Sequence, residues 1–284
     1  MTPPQRVLTS ACRVSLRVAR QAASWLGYGL LDAVVPQTCV ACGHWTEGER
    51  GPLCEPCAAE IDRLARLPAC GRCGRIGNAL MYGAGDCGRC RRERFWNIAG
   101  LAHHGPYRGL LERLITGLKF GGDLRCADVL GARMADAIVR RRWEERPEVL
   151  VPVPMHRLRR MHRPLDHAHA LAAVVGRRLR IPVQRAAVRR VRNGPSQTGM
   201  DSNQSRFENV RGCFAAAPRA DVSGRVVSIV DNLIVSGATI YELSKVLRRA
   251  GARRVYAVVA ATAMQPAAAA WLDPSVLVPE EAWP

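Results

Sequence analysis

With 284 residues and 48% hydrophobic content, the chain is long enough to bury one or two cores and too apolar to be a disordered polymer. Its formal net charge of +18 draws nucleic acid or other polyanions to the surface. Of 42 basic residues only Lys119 and Lys245 are lysine; that arginine dominance suits bidentate phosphate contacts and equally suits a GC-rich coding genome. No apolar run reaches the length of a membrane-spanning helix, and the stretch 22–35 carries Asp32 and lacks a secretory cleavage pattern.

Residues 1–35 form a basic N-terminal segment in which Val14, Val18, Trp25, Leu26 and Leu30 alternate with Arg13, Arg17 and Arg20. This pattern fits an amphipathic helix on a membrane surface, giving peripheral membrane contact, or a helix docked on the body of the protein. Gly27 and Gly29 would interrupt a long helix and favour docking.

Residues 36–94 are organised by four C-x-x-C pairs, Cys39/Cys42, Cys54/Cys57, Cys70/Cys73 and Cys87/Cys90, separated by 11, 12 and 13 residues. Each pair sets two thiolates at the apex of a tight knuckle, and two knuckles close a tetrahedral site of four sulfurs. The spacing therefore predicts a double zinc ribbon holding one or two structural zinc ions. Pairing in chain order is expected, with an interleaved arrangement as the alternative. Eight ligands fill two sites and leave no open position for catalysis. Reduced thiolates place the protein in the cytoplasm. Cys12, Cys126 and Cys213 are isolated and read as core or free thiols.

Residues 95–265 read as an α/β domain. An entry strand is expected within 95–105, and a helix over 107–120 (Leu110, Leu111, Leu114, Leu118) that stops at Gly121-Gly122. A second helix spans about 127–143, and the run 148–153 is a buried strand closed by Pro154. Arg157, Arg159, Arg160 and Arg163 then occupy the loop at that strand's C-terminal end, the ligand edge of an open parallel sheet, where guanidinium forks suit pyrophosphate. A helix follows to Leu179. Seven arginines and no acid lie between Arg177 and Arg192, and 193–209 is polar and long enough for a functional loop.

The stretch 225–239 is the strongest ligand signal. The run Val226–Val230 reads as a strand buried on both faces and ending at Asp231; Ser236-Gly237-Ala238-Thr239 opens a helix. Free N–H groups at such a turn suit a phosphate, and the carboxylate suits sugar hydroxyls. Another buried strand spans 255–262, and residues 266–284 are an Ala/Pro-rich tail.

These pieces, in this order, resemble the ComF/ComFC family of phosphoribosyltransferase-like competence proteins. The likeness covers most of 36–262 and is carried by the C-x-x-C-rich module, L-K-F-G-G at 118–122, V-P-V-P-x-H-x-x-R-x-x-x-R at 151–163, the polar segment 192–214 and the strand–acid–turn at 226–239. It implies a type I phosphoribosyltransferase-like parallel sheet with helices on both faces, preceded by the Cys-rich module. It also implies a role in natural transformation, handling incoming single-stranded DNA beside a competence helicase and recombination proteins, in the cytoplasm or at the inner face of the membrane. By the same resemblance, Asp231 and Asn232 occupy the catalytic acid-pair positions of a phosphoribosyl pyrophosphate loop, Asp231 holding a ribose hydroxyl. Val235, Ser236, Gly237, Ala238 and Thr239 cradle the 5-phosphate, and Mg²⁺ accompanies the pyrophosphate at Arg157, Arg159, Arg160 and Arg163. The family motif usually has two adjacent acids and then Thr-Thr-Gly, whereas this chain has Asp231-Asn232 and Val235-Ser236-Gly237. Each departure removes a charged or hydroxyl partner worth about 1–3 kcal/mol, which predicts a pocket that binds better than it catalyses; an active Mg-dependent phosphoribosyltransferase with an unknown acceptor is the alternative.

Overall fold

The computed structural model describes residues 38–46, 51–77, 87–88, 90, 97–155, 165–192, 203–218 and 220–263. Four parallel strands form the main sheet: β1 (Gly100–Pro106), β2 (Val149–Pro152), β5 (Val226–Ile234) and β6 (Arg254–Thr262), in the order β1-β6-β5-β2. The short strands β3 (Val188–Arg190) and β4 (Phe214–Ala216) pair antiparallel as a separate ribbon. The helices are α1 (Glu55–Leu64), α2 (Gly109–Thr116), α3 (Leu124–Arg141), α4 (His167–Leu179), α5 (Asn203–Val210) and α6 (Ala238–Arg249).

The sheet is buried on both faces, and its side chains divide with the two-residue period of a strand. Leu150, Val230, Val258 and Ala260 point into one core with α2, α3 and α4. Val149, Val151, Val227, Ile229, Val255, Ala257 and Val259 point into the other, where Ile240, Leu243 and Leu247 of α6 meet them. Asp123 and Asp166 begin α3 and α4, their carboxylates accepting from the Arg125 and His169 N–H groups. At the sheet's C-terminal edge the chain leaves all four strands toward one rim, the position from which open α/β sheets hold ligands.

The cysteine module is built into this core. Cys39 and Cys57 pack in the first cluster; Cys70, Cys73, Cys87 and Cys90 pack in the second. The two halves therefore grip opposite faces of the sheet at its edge strand β1, whose Ala102 and Leu101 face one half each. The free edge is also capped: the Leu101 N–H donates to the Gly71 carbonyl at 3.0 Å, and the Ile61 carbonyl lies 2.6 Å from His104 Nε2. Covering an edge in this way blocks strand addition by another chain.

Three expected elements differ in extent. Strand β5 runs on through Asp231 and Asn232 to Ile234, because pairing with β6 continues (Asp231 with Val259, Ile234 with Thr262) after pairing with β2 ends at Val230. The helix expected over 107–120 is divided: α2 ends at Thr116, and Gly117–Gly121 form a π-helical turn closed by Gly122 in the left-handed region (φ 66°). Part of the expected polar loop 193–209 is helical, as α5; its residues 193–202 lie outside the described residues. Cys126 and Cys213 are buried core thiols, and Cys12 lies outside the described residues, as do the N-terminal segment and the tail. Among the described residues no helix is long and apolar enough to cross a membrane.

Candidate functional site

The eight cysteines of the C-x-x-C pairs come together as two sets in chain order, Cys39, Cys42, Cys54, Cys57 and Cys70, Cys73, Cys87, Cys90. Within each set all four sulfurs lie within 4.8 Å of one another. The two knuckles are built alike. Gly43 and Gly74 adopt φ of 77° and 69° and donate to the Cys39 and Cys70 carbonyls, and the bridges Thr38–Trp45 and Ala69–Ile76 close the flanks. A side chain at either glycine would strain the left-handed turn. Sulfur separations of 3.7 Å (Cys42–Cys54), 3.7 Å (Cys73–Cys87) and 3.9 Å (Cys70–Cys90) match a tetrahedron with Zn–S bonds of about 2.3 Å, whose edges are about 3.8 Å. The donor set fits a structural zinc in each half. In each set one thiol is held low: Cys39, against burial, by hydrogen bonds from the neighbouring backbone and from Cys42, and Cys70 by hydrogen bonds from Cys73 and Cys90. Burial and the neighbouring thiols push the Cys57 thiol up, and hydrogen bonding to Cys70 and Cys73 pushes Cys90 up. Four crowded sulfurs resist becoming four thiolates until a cation compensates them.

The second polar centre is the C-terminal edge of β5. Asp231 is half-buried, and its carboxylate accepts the N–H of Asn232 at 2.8 Å. Desolvation pushes the Asp231 carboxyl up to about 6, against the opposing pull of that hydrogen bond and of the Lys119 ammonium. Asn232 is 3% exposed, and its Nδ2 has no hydrogen-bond partner among the described residues. An unpaired buried amide donor costs about 1–3 kcal/mol; a ligand oxygen would relieve it, whereas a cation would not.

Beyond β5, Val235 is 48% exposed, Ser236 is buried, and Gly237 takes φ 82° as the N-cap of α6. The Ser236 hydroxyl accepts from the Ala238 N–H at 3.4 Å. Ala238 is buried and Thr239 half-buried in the first turn of α6. The turn thus opens α6 a few residues beyond Asp231 in the chain, with an isopropyl group at position 235. Arg157, Arg159, Arg160 and Arg163 lie outside the described residues.

Lys119 is the one contributor that sequence reasoning passed over. Its segment reads as a helix stop, whereas position 119 lies in a π-helical turn and its ammonium charge acts to lower the Asp231 carboxyl. A lysine two residues before a Gly-Gly pair was the available signal.

Fold and cysteine geometry define a class: a double zinc ribbon clasping a parallel α/β sheet. A family model described as the double zinc ribbon domain matches residues 30–91. The chain is 30% identical over 221 residues to competence protein F of Haemophilus influenzae, covering 76% of this chain and 93% of that protein. It is 26% identical over 232 residues to the DNA utilization protein YhgH of Escherichia coli strain K12, covering 78% and 95%. The chain belongs to the competence protein F family. Among solved structures it is similar to the glutamine phosphoribosylpyrophosphate amidotransferase from B. subtilis (24% identity, TM-score 0.31), spanning 46% of this chain and a quarter (25%) of that one. It is also similar to a purine phosphoribosyltransferase from Pyrococcus horikoshii (13% identity, TM-score 0.30), spanning 48% of this chain and 85% of that one.

Proposed function

We propose that this protein handles incoming single-stranded DNA during natural transformation and retains a phosphoribosyl pyrophosphate-type pocket whose transfer chemistry is weak or absent. The observation that carries the pocket is the pair Asp231-Asn232 at the end of β5. One member is a desolvated carboxylate and the other a buried amide donor without a partner, beside the first turn of a helix. In this reading Asp231 accepts a ribose hydroxyl, and Asn232 donates to a ligand oxygen. The Val235–Thr239 turn holds the 5-phosphate, with Ser236 and Thr239 supplying hydroxyls and Val235 only its N–H. Arg157, Arg159, Arg160 and Arg163 face the pyrophosphate. Bound Mg²⁺ would neutralise pyrophosphate charge and ease its departure. Asp231 stabilises positive charge developing on the ribose as the bond from the anomeric carbon to pyrophosphate breaks. Asn232 supplies no second negative charge, which is why turnover is slow.

The zinc ribbons are structural in this reading. The basic N-terminal segment gives peripheral contact with the inner face of the membrane, and the partners are a competence helicase and recombination proteins. The alternative, a working Mg-dependent phosphoribosyltransferase, is favoured by the raised Asp231 carboxyl, because perturbed acids concentrate at reactive sites. Pyrophosphate release in the presence of each nucleobase separates the two. Slow or undetectable release supports the binding reading. A robust signal abolished by Asp231→Ala overturns it in favour of the enzyme.

A further inference from the structure

Away from the β5 edge, a cavity of about 220 Å³ opens between the C-terminal ends of α3 and α4. It is lined by Ile138, Val139, Trp143, Pro147, Leu179 and Ile181, with Arg142 and Arg146 at its wall. Its volume lies below the range of about 300–1,000 Å³ usual for drug-sized ligands, which suits a single ring. Trp143 is fixed by stacking on Tyr256 (centroids 4.1 Å apart, planes within 9°).

Two further observations mark this cavity. Arg140, Arg142, Arg146 and Arg180 are exposed, and none has an acidic partner among the described residues. The nearby acids are engaged elsewhere: Glu144 with Arg254, Glu145 with Arg253 and Arg254, and Glu148 with Arg253. Secondly, among the described residues only two positions other than glycine have positive φ, Arg142 (45°) and Arg180 (57°). Both are helix C-caps, of α3 and α4, where glycine is the usual residue. Arg142 lines the cavity, and Arg180 lies between Leu179 and Ile181, which also line it. Left-handed backbone strains an ordinary residue, and such strain gathers where a side chain has a binding task.

A larger cavity of about 470 Å³ lies where the Gly51–Leu53 loop meets α3, but it contains Asp128 and Asp136 beside Arg133 and Arg178. Both acids are already paired, as Arg178–Asp136 and Arg177–Asp128. Its charges offer a polyanion no net attraction.

We propose that the cavity between the C-terminal ends of α3 and α4 is the single-stranded DNA site of this protein, one base entering against Trp143 while Arg142, Arg146 and Arg180 hold the flanking phosphates. The proposal rests on the reading that the chain handles single-stranded DNA and names the surface that does so. Unpaired arginines supply the backbone contacts, and one aromatic-walled cavity supplies the base contact in a chain with few aromatic residues.

The test is fluorescence anisotropy of the zinc-loaded full chain with a short labelled oligothymidylate over a salt series. The triple variant Arg142→Gly, Arg146→Gln, Arg180→Gly removes three charges and relaxes both strained caps, so its thermal midpoint should not fall. It should bind about tenfold or more weakly, with a salt slope shallower by about 2. Arg177→Gln, Arg178→Gln and Arg185→Gln together remove three acid-paired arginines and should leave affinity within about threefold. An abasic oligomer of equal length should bind the wild type more weakly than oligothymidylate; equal binding would overturn base insertion. If the wild type binds DNA and the first triple variant binds as tightly, this surface is wrong and the DNA-handling reading stands. If the wild type binds no single-stranded DNA, both fall.

Discussion

The cysteine module and the C-terminal edge of β5 use polar groups in opposite ways. In the module every ligand finds its complement: four sulfurs per set at tetrahedral spacing, held by knuckles whose N–H groups are paired. At the β5 edge, polar groups are kept short of partners, with Asp231 desolvated and the Asn232 amide unpaired in the core. The first arrangement stores stability once a cation neutralises it. The second leaves a raised carboxyl and an unpaired amide at a cost in stability, the pattern on which the proposed ligand pocket rests.

The largest effect expected from this contrast is on the module. Structural zinc contributes on the order of 10–16 kcal/mol in small metal-folded units, as much as the whole net stability of a typical domain, about 5–15 kcal/mol. Because the second set shares a core with Val227, Ile229 and Leu243, Cys73→Ser should abolish the cooperative thermal transition of the whole chain, read by circular dichroism. An unchanged transition would mean the ribbons are ornaments. The two sets also differ: Cys42 and Cys54 are only half-buried, whereas all four cysteines of the second set are buried. A chelator with a colorimetric readout should therefore release zinc in two phases, and Cys42→Ser should remove the fast one.

At the β5 edge the effect has the opposite sign. The Asp231 carboxyl titrates at about 6 in the folded chain and near 3.9 unfolded, so between those values the folded state holds the extra proton. Stability then falls as pH rises through that window, and above it the cost is fully present. Asp231→Asn should raise stability by roughly 1–3 kcal/mol at neutral pH and flatten the dependence between about pH 4 and 6, measured by denaturant titration. A destabilised Asp231→Asn would show that the carboxylate is structurally satisfied. Lys119→Met should have the smallest effect, raising the Asp231 carboxyl further by removing the ammonium, seen by NMR titration. No shift would place Lys119 away from the site.

Much of this was legible in sequence because it depends on local spacing. Two residues between cysteines set a knuckle, and apolar runs at 149–151 and 226–230 mark strands buried on both faces. What stayed hidden depends on tertiary partners. The spacing of ligands says nothing about which face each ribbon half covers, and the Gly71–Leu101 cap is a contact between residues 30 apart. Asp231 and Asn232 look like the end of a strand because they are polar; the hydrogen-bond ladder with β6 carries the strand past them. Lys119 sits in a π-helical turn that resembles a helix stop in sequence, and its charge reaches Asp231 only through the tertiary fold. The departures at Asn232 and Val235 could be read directly; the amide's burial and the exposure of the Val235 side chain could not.

The central claim is that the β5 edge is a phosphoribosyl pyrophosphate pocket weakened by Asn232. Calorimetry with phosphoribosyl pyrophosphate and Mg²⁺ on both sides of about pH 6, wild type against Asn232→Asp, tests it most directly. The account predicts measurable binding by the wild type that weakens as pH drops below about 6, where Asp231 protonates. It also predicts about tenfold tighter binding by Asn232→Asp, the return of one charged partner. Absence of binding heat from both proteins, with the zinc sites loaded and the fold intact, would contradict it.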